Sequence, residues 1–364
     1  MRSPGTTLAI VLAPIVALCG GAAACGSEEP APAGWVGNAA DAAPYDANID
    51  VAWPTADPDP DAGLVPGATF DAGDSGATSA FSCTGKTFAS GDRTLTFTSG
   101  GIVRVAYIHV PNGYDAAQGT MLVLNFHGFS NSALIQRTIS RMDKSSDQHG
   151  YIVVYPEGVA TSWNAGDCCG TAWVNAVDDV QFVRDLVQKL LTDYCVDPKR
   201  VFSTGYSNGG FLSYRLACEM ADTFAAIAPV AGQLGIPPTS CNPVRKVPLL
   251  EFHGTADPIV PYQGGTPIIG FDLGPVPKFR SVTESVGAFV LKNGCLGLPS
   301  TIYQKGDATC TQWGLCQADV VHCKIDAGGH TWPGGVPIPL VGKTSTDIGA
   351  TETMYDFFVA HPMP

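Results

Sequence analysis

The stretch that decides the fold is Val201-Phe202-Ser203-Thr204-Gly205-Tyr206-Ser207-Asn208-Gly209-Gly210-Phe211-Leu212. Its first four residues predict a strand, and residues 209–220 have the apolar spacing of a helix. Between them, residues 205–209 match the pattern G-x-S-x-G, in which a serine on a sharp strand-to-helix turn is lifted above the edge of a sheet. The helix N-terminus favours developing negative charge at this point. The pattern therefore predicts that Ser207 is a nucleophile, with an ordinary glycine-rich turn as the alternative.

Strands and helices alternate on both sides of this stretch. Residues 121–126 form a continuous apolar run, as in a central strand of a parallel sheet, and residues 178–194 form an amphipathic helix. Further strands are predicted at 102–110, 151–155, 200–204, 225–230, 247–252 and 320–325, and further helices at 133–147, 283–292 and 351–361. This alternation predicts an α/β fold with one domain, residues 82–364, whose mostly parallel sheet is covered by helices on both faces.

A serine hydroxyl becomes an effective nucleophile when a base takes its proton and an acid orients that base. Asp257 comes a few residues after a predicted buried strand, in a turn at the carboxyl edge of the sheet. His330 lies in the glycine-rich loop after the last predicted strand. The order serine, acid, histidine is that of α/β-hydrolases. We therefore predict Asp257 as the acid and His330 as the base, with Asp326 as the alternative acid.

A tetrahedral intermediate also needs backbone N–H groups that point at its oxyanion. The amide of Asn208, directly after the nucleophile, is one predicted donor. The loop that follows residues 121–126 supplies the other, because Gly128 lets the backbone turn close to the substrate and leaves the amide of Phe129 as the donor. His127 is predicted to brace this loop rather than to titrate in catalysis.

Five segments occur here in an order that resembles a known family. They are Asn125-Phe126-His127-Gly128, Ser162-Trp163-Asn164-Ala165-Gly166-Asp167-Cys168-Cys169-Gly170, Gly205-Tyr206-Ser207-Asn208-Gly209-Gly210, His253-Gly254-Thr255-Ala256-Asp257 and Gly328-Gly329-His330-Thr331-Trp332-Pro333. Together they are similar to the esterase/poly(3-hydroxybutyrate) depolymerase family, which is related to the feruloyl and acetylxylan esterases of carbohydrate esterase family 1.

The resemblance covers residues 83–364 and implies an α/β-hydrolase fold that uses Ser207, Asp257 and His330 as its triad. It also implies a substrate pocket walled by the segments around Trp163 and Trp332. Buried aromatic packing is the other interpretation of these two tryptophans.

The N-terminal residues resemble an export signal. Residues 1–24 combine a basic start, a short apolar run and the small residues Ala22-Ala23-Ala24, which are typical of a cleavage site. Cys25 would then begin the mature chain and is a candidate for lipid anchoring, as in a bacterial lipoprotein. Ala22 stands where such signals usually carry leucine, so a plain secreted chain is the alternative. We expect an extracellular or cell-surface location, with membrane contact only through that anchor.

Residues 25–81 are predicted to be a disordered linker, because Asp, Ala, Pro and Gly dominate and large apolar side chains are sparse. Ten acidic residues lie in this stretch and no basic one, so most of the formal net charge of −13 belongs to it. Residues from Lys86 onward carry 19 basic and 23 acidic side chains. This balance argues against nucleic-acid binding, for which a basic face is expected.

Ten of the twelve cysteines lie between Cys83 and Cys323. An even number in an exported protein predicts about five disulfides, and the spacing does not favour a metal site. The adjacent Cys168 and Cys169 are expected to have separate partners rather than to bond to each other. We expect no cofactor, no metal and a monomer.

The features together predict a secreted serine esterase that acts on a polymer outside the cell. Feruloyl or acetyl esters of plant polysaccharides are the leading substrates, and poly(3-hydroxybutyrate) is the alternative. A surface lipoprotein that kept the fold as an inactive binding module is a third interpretation.

Overall fold

A computed structural model describes residues 81–267 and 279–364. The predicted signal peptide, Cys25 and the predicted linker up to residue 80 lie outside the described residues. Within those two ranges, no helix combines the length and the apolar character needed to cross a bilayer.

The described residues form one ten-stranded sheet with seven α-helices. The strands are β1 (Gly91–Ser99), β2 (Ile102–Val110), β3 (Thr120–Phe126), β4 (Ile152–Pro156), β5 (Val196–Tyr206), β6 (Ile227–Val230), β7 (Leu249–Gly254), β8 (Pro299–Lys305), β9 (Ala308–Trp313) and β10 (Val320–Ile325). The helices are α1 (Ala133–Ser140), α2 (Met142–His149), α3 (Gly170–Val174), α4 (Asp179–Asp193), α5 (Asn208–Glu219), α6 (Val282–Lys292) and α7 (Ala350–Ala360), with a 3₁₀ turn at Pro339–Val341.

The strand order across the sheet is β1-β2-β4-β3-β5-β6-β7-β10-β9-β8. The six strands from β4 to β10 in this order run parallel to one another, and the pairings at both edges are antiparallel. The predicted mostly parallel sheet is thereby confirmed. Because all six parallel strands point the same way, the turns after β5, β7 and β10 meet at one edge of the sheet, and this edge carries the candidate site.

Helices cover both faces of the sheet, as predicted. Neighbouring residues of a strand point to opposite faces. On β3, Leu124 lies in one core cluster with Phe182 of α4 and Leu212 of α5. The next side chain back along the strand, Val123, lies in the other cluster with Met354 of α7. All seven residues of β3 are buried, which explains its unbroken apolar sequence.

The structure corrects the prediction of a single helix at residues 133–147. Two helices are present instead, α1 and α2, and Arg141 between them has a left-handed backbone with φ 52°. The amide of Arg141 donates to the carbonyl of Arg137 and so closes the last turn of α1. A change of backbone at one residue leaves the apolar spacing intact, so the pattern did not indicate the break.

Three strands at the two ends of the sheet and one short helix were not predicted. β1, β8 and β9 are rich in threonine and other polar residues, and most of their side chains are at least partly exposed. A strand at the edge of a sheet with one solvated face has no continuous apolar run to reveal it. The helix α3 has only five residues, too few for a helical period to be recognised.

Five disulfides are present among the described cysteines, as predicted. They join Cys83 to Cys195, Cys168 to Cys169, Cys218 to Cys241, Cys295 to Cys316 and Cys310 to Cys323. The expectation that Cys168 and Cys169 have separate partners is wrong. The other eight cysteines are brought together in four pairs by the fold, so the two adjacent residues are left to bond to each other.

Candidate active site

Ser207 lies in the turn between β5 and α5. Its backbone has φ 56° and ψ −120°, a combination that residues with a side chain rarely adopt. The amide of Ser207 donates to the carbonyl of Val230 on β6, and the carbonyl of Ser207 accepts from the amide of Phe211. These bonds hold the strained turn in place at the carboxyl edge of the sheet, where the serine remains 9% exposed.

Glycines allow the elements around this turn to approach closely. A Cβ atom built on Gly209 would lie 2.1 Å from the carbonyl oxygen of Phe126, and one built on Gly205 would lie 2.6 Å from the backbone of Gly209. Real Cβ atoms do not come this near to other atoms, so the first turn of α5 can pass β3 only if both positions are glycine. The two glycines of the G-x-S-x-G pattern are therefore required by packing at this site.

Replacing Gly209 with alanine should lower the free energy of unfolding by about 2 kcal/mol or more, because the backbone of β3 cannot move away from the new methyl group. Gly287 on α6 is the matched control, since a Cβ there meets nothing within 4 Å. Gly287→Ala should raise stability by about 0.5–1 kcal/mol. Urea unfolding of both variants measures the difference, and a Gly209→Ala protein as stable as the original would contradict this account of the turn.

Asp257 and His330 are joined by a hydrogen bond. The Nδ1 atom of His330 lies 2.7 Å from Oδ2 of Asp257, and both side chains are almost completely buried. The other oxygen, Oδ1, accepts from the amides of Ile259 and Val260, each at 2.8 Å. Burial by itself raises the pKa of Asp257, but the charges and hydrogen bonds of His330 and His253 hold that pKa well below its usual range. An ionised Asp257 only accepts hydrogen bonds, so Nδ1 of His330 carries the proton and Nε2 is left as the acceptor.

Tyr206 connects the loop of His330 to the turn of Ser207. Its hydroxyl donates to the backbone carbonyl of His330 at 2.5 Å, and the centroids of the two rings are 4.9 Å apart. The amide of His330 donates to the backbone carbonyl of Val341. Because Tyr206 directly precedes Ser207 in the chain, it ties the candidate base to the candidate nucleophile. Sequence reasoning missed this residue, although it is the first variable position of the G-x-S-x-G pattern.

The two predicted oxyanion donors lie on segments that meet at Ser207. Asn208 is the first residue of α5, and a Cβ built on Gly128, directly before Phe129, would lie 3.2 Å from Cβ of Ser207. The side chain of Asn208 also binds the backbone of Trp163, a contact that the sequence did not indicate. Its Oδ1 accepts from the amide of Trp163 at 2.7 Å, and its Nδ2 donates to the carbonyl of Trp163 at 3.1 Å.

His127 braces the loop next to the site. It is fully buried, its Nε2 accepts from the amide of Gly158 at 2.9 Å, and its Nδ1 donates to the carbonyl of Gly128 at 2.7 Å. Burial lowers the pKa of His127 to about 4, so the ring is neutral at physiological pH. This arrangement agrees with the bracing role expected from the sequence.

Trp163 and Trp332 are both completely buried, which favours the interpretation as aromatic packing over contact with substrate. The indole N–H of Trp163 donates to the carbonyl of His127 at 2.9 Å, and that of Trp332 donates to the hydroxyl of Thr351 at 3.0 Å. Burial of a large aromatic ring stabilises the fold most when the polar atom of the ring also has a hydrogen-bond partner. Both tryptophans therefore support the loops of the site from within the core.

One cluster in the described ranges has the spacing of metal ligands, formed by Asp92, His109 and Asp143. The guanidinium of Arg137 donates to both carboxylates of this cluster. The arginine supplies the positive charge there, so the cluster is an ion-pair network on the surface of the domain.

Comparison with known proteins agrees with this geometry. The Dienelactone hydrolase family matches residues 106–267. The putative esterase NocK of Nocardia uniformis subsp. tsuyamanensis is 34% identical over 278 residues, which are 71% of this chain and 80% of NocK. Feruloyl esterase B of Piromyces equi is 31% identical over 236 residues, which are 62% of this chain and 42% of that protein.

A bifunctional acetylxylan esterase/xylanase of Neocallimastix patriciarum is 27% identical over 226 residues, which are 62% of this chain and 31% of that protein. The chain therefore spans less than half the length of these last two relatives. The resemblance predicted from five sequence segments is confirmed. The similarity to NocK, the parallel sheet and the turn around Ser207 show that the chain belongs to the α/β-hydrolase esterase family and is a carboxylic ester hydrolase.

Proposed function

We propose that the chain hydrolyses esters through Ser207, His330 and Asp257. The observation that carries this proposal is the buried 2.7 Å hydrogen bond between His330 and Asp257, in a loop that Tyr206 ties to the turn of Ser207. It leaves Nε2 of His330 as the ring atom able to take a proton. An oriented base, in a loop tied to the turn of a strained serine, supports the proposal because such a base can activate the hydroxyl.

The reaction would proceed in two stages. In the first, Oγ of Ser207 attacks the carbonyl carbon of the ester while Nε2 of His330 takes the hydroxyl proton, and the negative charge of Asp257 stabilises the imidazolium. The amides of Asn208 and Phe129 would donate to the oxyanion. When the tetrahedral intermediate collapses, His330 gives its proton to the leaving alcohol and Ser207 keeps the acyl group. In the second stage, water attacks the acyl-enzyme, its proton goes to His330, and the acid is released as Ser207 regains its proton.

The substrates proposed are feruloyl or acetyl esters of plant polysaccharides. Support comes from two relatives, one named as a feruloyl esterase and one as an acetylxylan esterase/xylanase. A polymeric substrate also suits an exported enzyme. The predicted export signal at residues 1–24, the candidate anchor at Cys25 and the five disulfides support a location outside the cell or at its surface, where we propose that the chain acts as a monomer.

A panel of substrates tests this proposal. Purified protein would be assayed on methyl ferulate, acetylated xylan and a film of poly(3-hydroxybutyrate), with Ser207→Ala as the blank. We expect release of ferulate or acetate and no release from the film. Release from the film alone would replace polysaccharide esters with a polyester as the substrate. If no substrate is hydrolysed and a serine-directed phosphonate does not label Ser207, the chain is a binding module and the proposal fails.

A further inference from the structure

Next to Asp257, the core contains three more titratable side chains. Glu251 and His253 lie on β7, two residues apart and therefore on the same face of the sheet. His322 lies opposite Glu251 on the neighbouring strand β10. Glu251 and His253 are fully buried, and His322 is 9% exposed. Burying titratable side chains destabilises the fold unless they are paired with one another.

Hydrogen bonds link these side chains into a network that reaches the candidate triad. The hydroxyl of Tyr262 lies 2.7 Å from Nε2 of His322, and Nδ1 of His322 lies 2.5 Å from Oε2 of Glu251. The other oxygen of Glu251 lies 3.0 Å from Nδ1 of His253. On its far side, Nε2 of His253 faces the carbonyl of Val260 at 2.8 Å and Oδ2 of Asp257 at 3.4 Å. Oδ2 of Asp257 is the same atom that accepts from His330.

The partners of His253 determine its charge. A carbonyl and two carboxylates surround its ring nitrogens, and each of these groups only accepts hydrogen bonds. Both nitrogens of His253 must therefore donate, which only the imidazolium can do. His322 lies between the same carboxylate and a phenol, with its Nδ1 facing Glu251 and its Nε2 facing the hydroxyl of Tyr262. The positive charge of His253 then lies between the carboxylates of Glu251 and Asp257.

The electrostatics of the site agree with this assignment. Burial alone lowers the pKa of His253, but the hydrogen bonds and charges of Asp257 and Glu251 raise it to about 10. Burial alone raises the pKa of Glu251, and the neighbouring His322 and His253 bring it below its usual range.

Other ionisable groups also face this network, but they do not supply a positive charge next to Asp257. Tyr206 is next to Asp257, and Tyr214 and Tyr262 are next to Glu251; burial raises the pKa of all three phenols, so they are neutral. Lys324 lies opposite His253 on β10, but its ammonium is partly exposed and pairs with Asp326. Among these groups, His253 is the cation next to Asp257, with its Nε2 3.4 Å from Oδ2.

We propose that His253 is a permanently protonated positioning residue, held by Glu251, that keeps Asp257 oriented toward His330 and offsets part of its negative charge. The inference rests on the proposed function, since it assigns a partner to the acid of that triad. Because both histidines face Oδ2 of Asp257, the positive charge of His253 also opposes a positive charge on His330. Removing this cation would leave the full negative charge of Asp257 to stabilise protonated His330, which is the inactive form of the base.

The first test is His253→Gln, which removes the charge and keeps a side-chain amide that can donate to Val260 or Asp257. We expect kcat for p-nitrophenyl acetate to fall by about 10- to 100-fold while KM changes by less than about threefold. The acid side of the profile of kcat/KM against pH should move to higher pH by about one unit. A change in packing alone would lower activity without moving the profile.

The control is His149→Gln, the same substitution at a histidine that pairs with Glu352 on the surface of α2 and α7. It should leave the rate and the pH profile unchanged. If His253→Gln has the rate and the profile of this control, the inference is overturned.

The second test needs neither activity nor a substitution in the network. Nitrogen-15 NMR of the histidine rings distinguishes an imidazolium from either neutral tautomer. In the unsubstituted protein and in Ser207→Ala, His253 should show two protonated nitrogens from about pH 6 to about pH 9. A neutral His253 in this range would overturn the inference.

The two proposals can fail separately. An active Ser207→Ala enzyme would overturn the proposed function, whatever the NMR shows. An inactive Ser207→Ala enzyme with a neutral His253 would retain the triad and remove only the positioning role. If Glu251→Gln makes His253 titrate below pH 9, the result supports Glu251 as the group that holds its charge; an unchanged titration would remove Glu251 from the proposal.

Discussion

Replacing Ser207 with alanine should lower kcat for ester hydrolysis by about 10⁵-fold or more, because no other group could form the acyl-enzyme. The substitution removes one oxygen atom at a position that is 9% exposed, so the fold and the melting temperature should be retained. Turnover of p-nitrophenyl acetate measures the loss, and mass spectrometry after treatment with a phosphonate should show no label on the variant.

Ser213 provides the matched control for this experiment. It lies on the same helix, α5, where its hydroxyl donates to the carbonyl of Gly209 and accepts from Ser203. Ser213→Ala should hydrolyse the ester at a rate within about threefold of the unsubstituted protein, since its hydroxyl serves only packing and local hydrogen bonding. If Ser207→Ala and Ser213→Ala are equally active, the mechanism proposed for Ser207 is wrong.

Replacing Asp257 with asparagine should lower kcat by about 10⁴-fold. An asparagine can still accept from the amides of Ile259 and Val260 with its oxygen, but its NH₂ group then faces Nδ1 of His330. The histidine would have to accept at Nδ1 and carry its proton on Nε2, which removes the base from the side of Ser207. The loss should therefore appear in kcat, and KM should change little.

Asp326 is the control for Asp257, and it is also the alternative acid named from the sequence. Its side chain is 59% exposed and pairs with Lys324 at 3.0 Å, so it does not contact His330. Asp326→Asn should retain activity within about twofold, because an exposed ion pair contributes little. An Asp326→Asn enzyme as inactive as Asp257→Asn would show that the orienting acid has been assigned to the wrong residue.

Much of the fold could be predicted from the chain, because buried parallel strands and amphipathic helices have distinct apolar periods. Residues 121–126 and 178–194 correspond closely to β3 and α4. The strands β1, β8 and β9, at the two ends of the sheet, escaped prediction because many of their polar side chains are exposed or partly exposed. The break at Arg141 escaped because one left-handed residue does not disturb the period of the neighbouring helices.

The residues of the candidate site could be predicted from their order in the chain and from the turns in which they lie. Ser207, Asp257 and His330 each follow a strand, and their order suits the α/β-hydrolase fold; their catalytic roles remain predictions until the variants are measured. The roles of Tyr206 and of the Asn208 side chain could not be derived in this way. Each depends on a contact with a residue more than forty positions away.

The amino-acid sequence alone was sufficient to identify the serine turn, the order of its partners and the alternation of strands and helices, because these are local properties of the backbone and its side-chain periods. Tertiary structure decided which cysteines pair, that Trp163 and Trp332 are buried, and that His253 lies between Glu251 and Asp257. These features arise when distant segments pack together, and the charge of a buried histidine depends on which acceptors that packing brings to its two nitrogens.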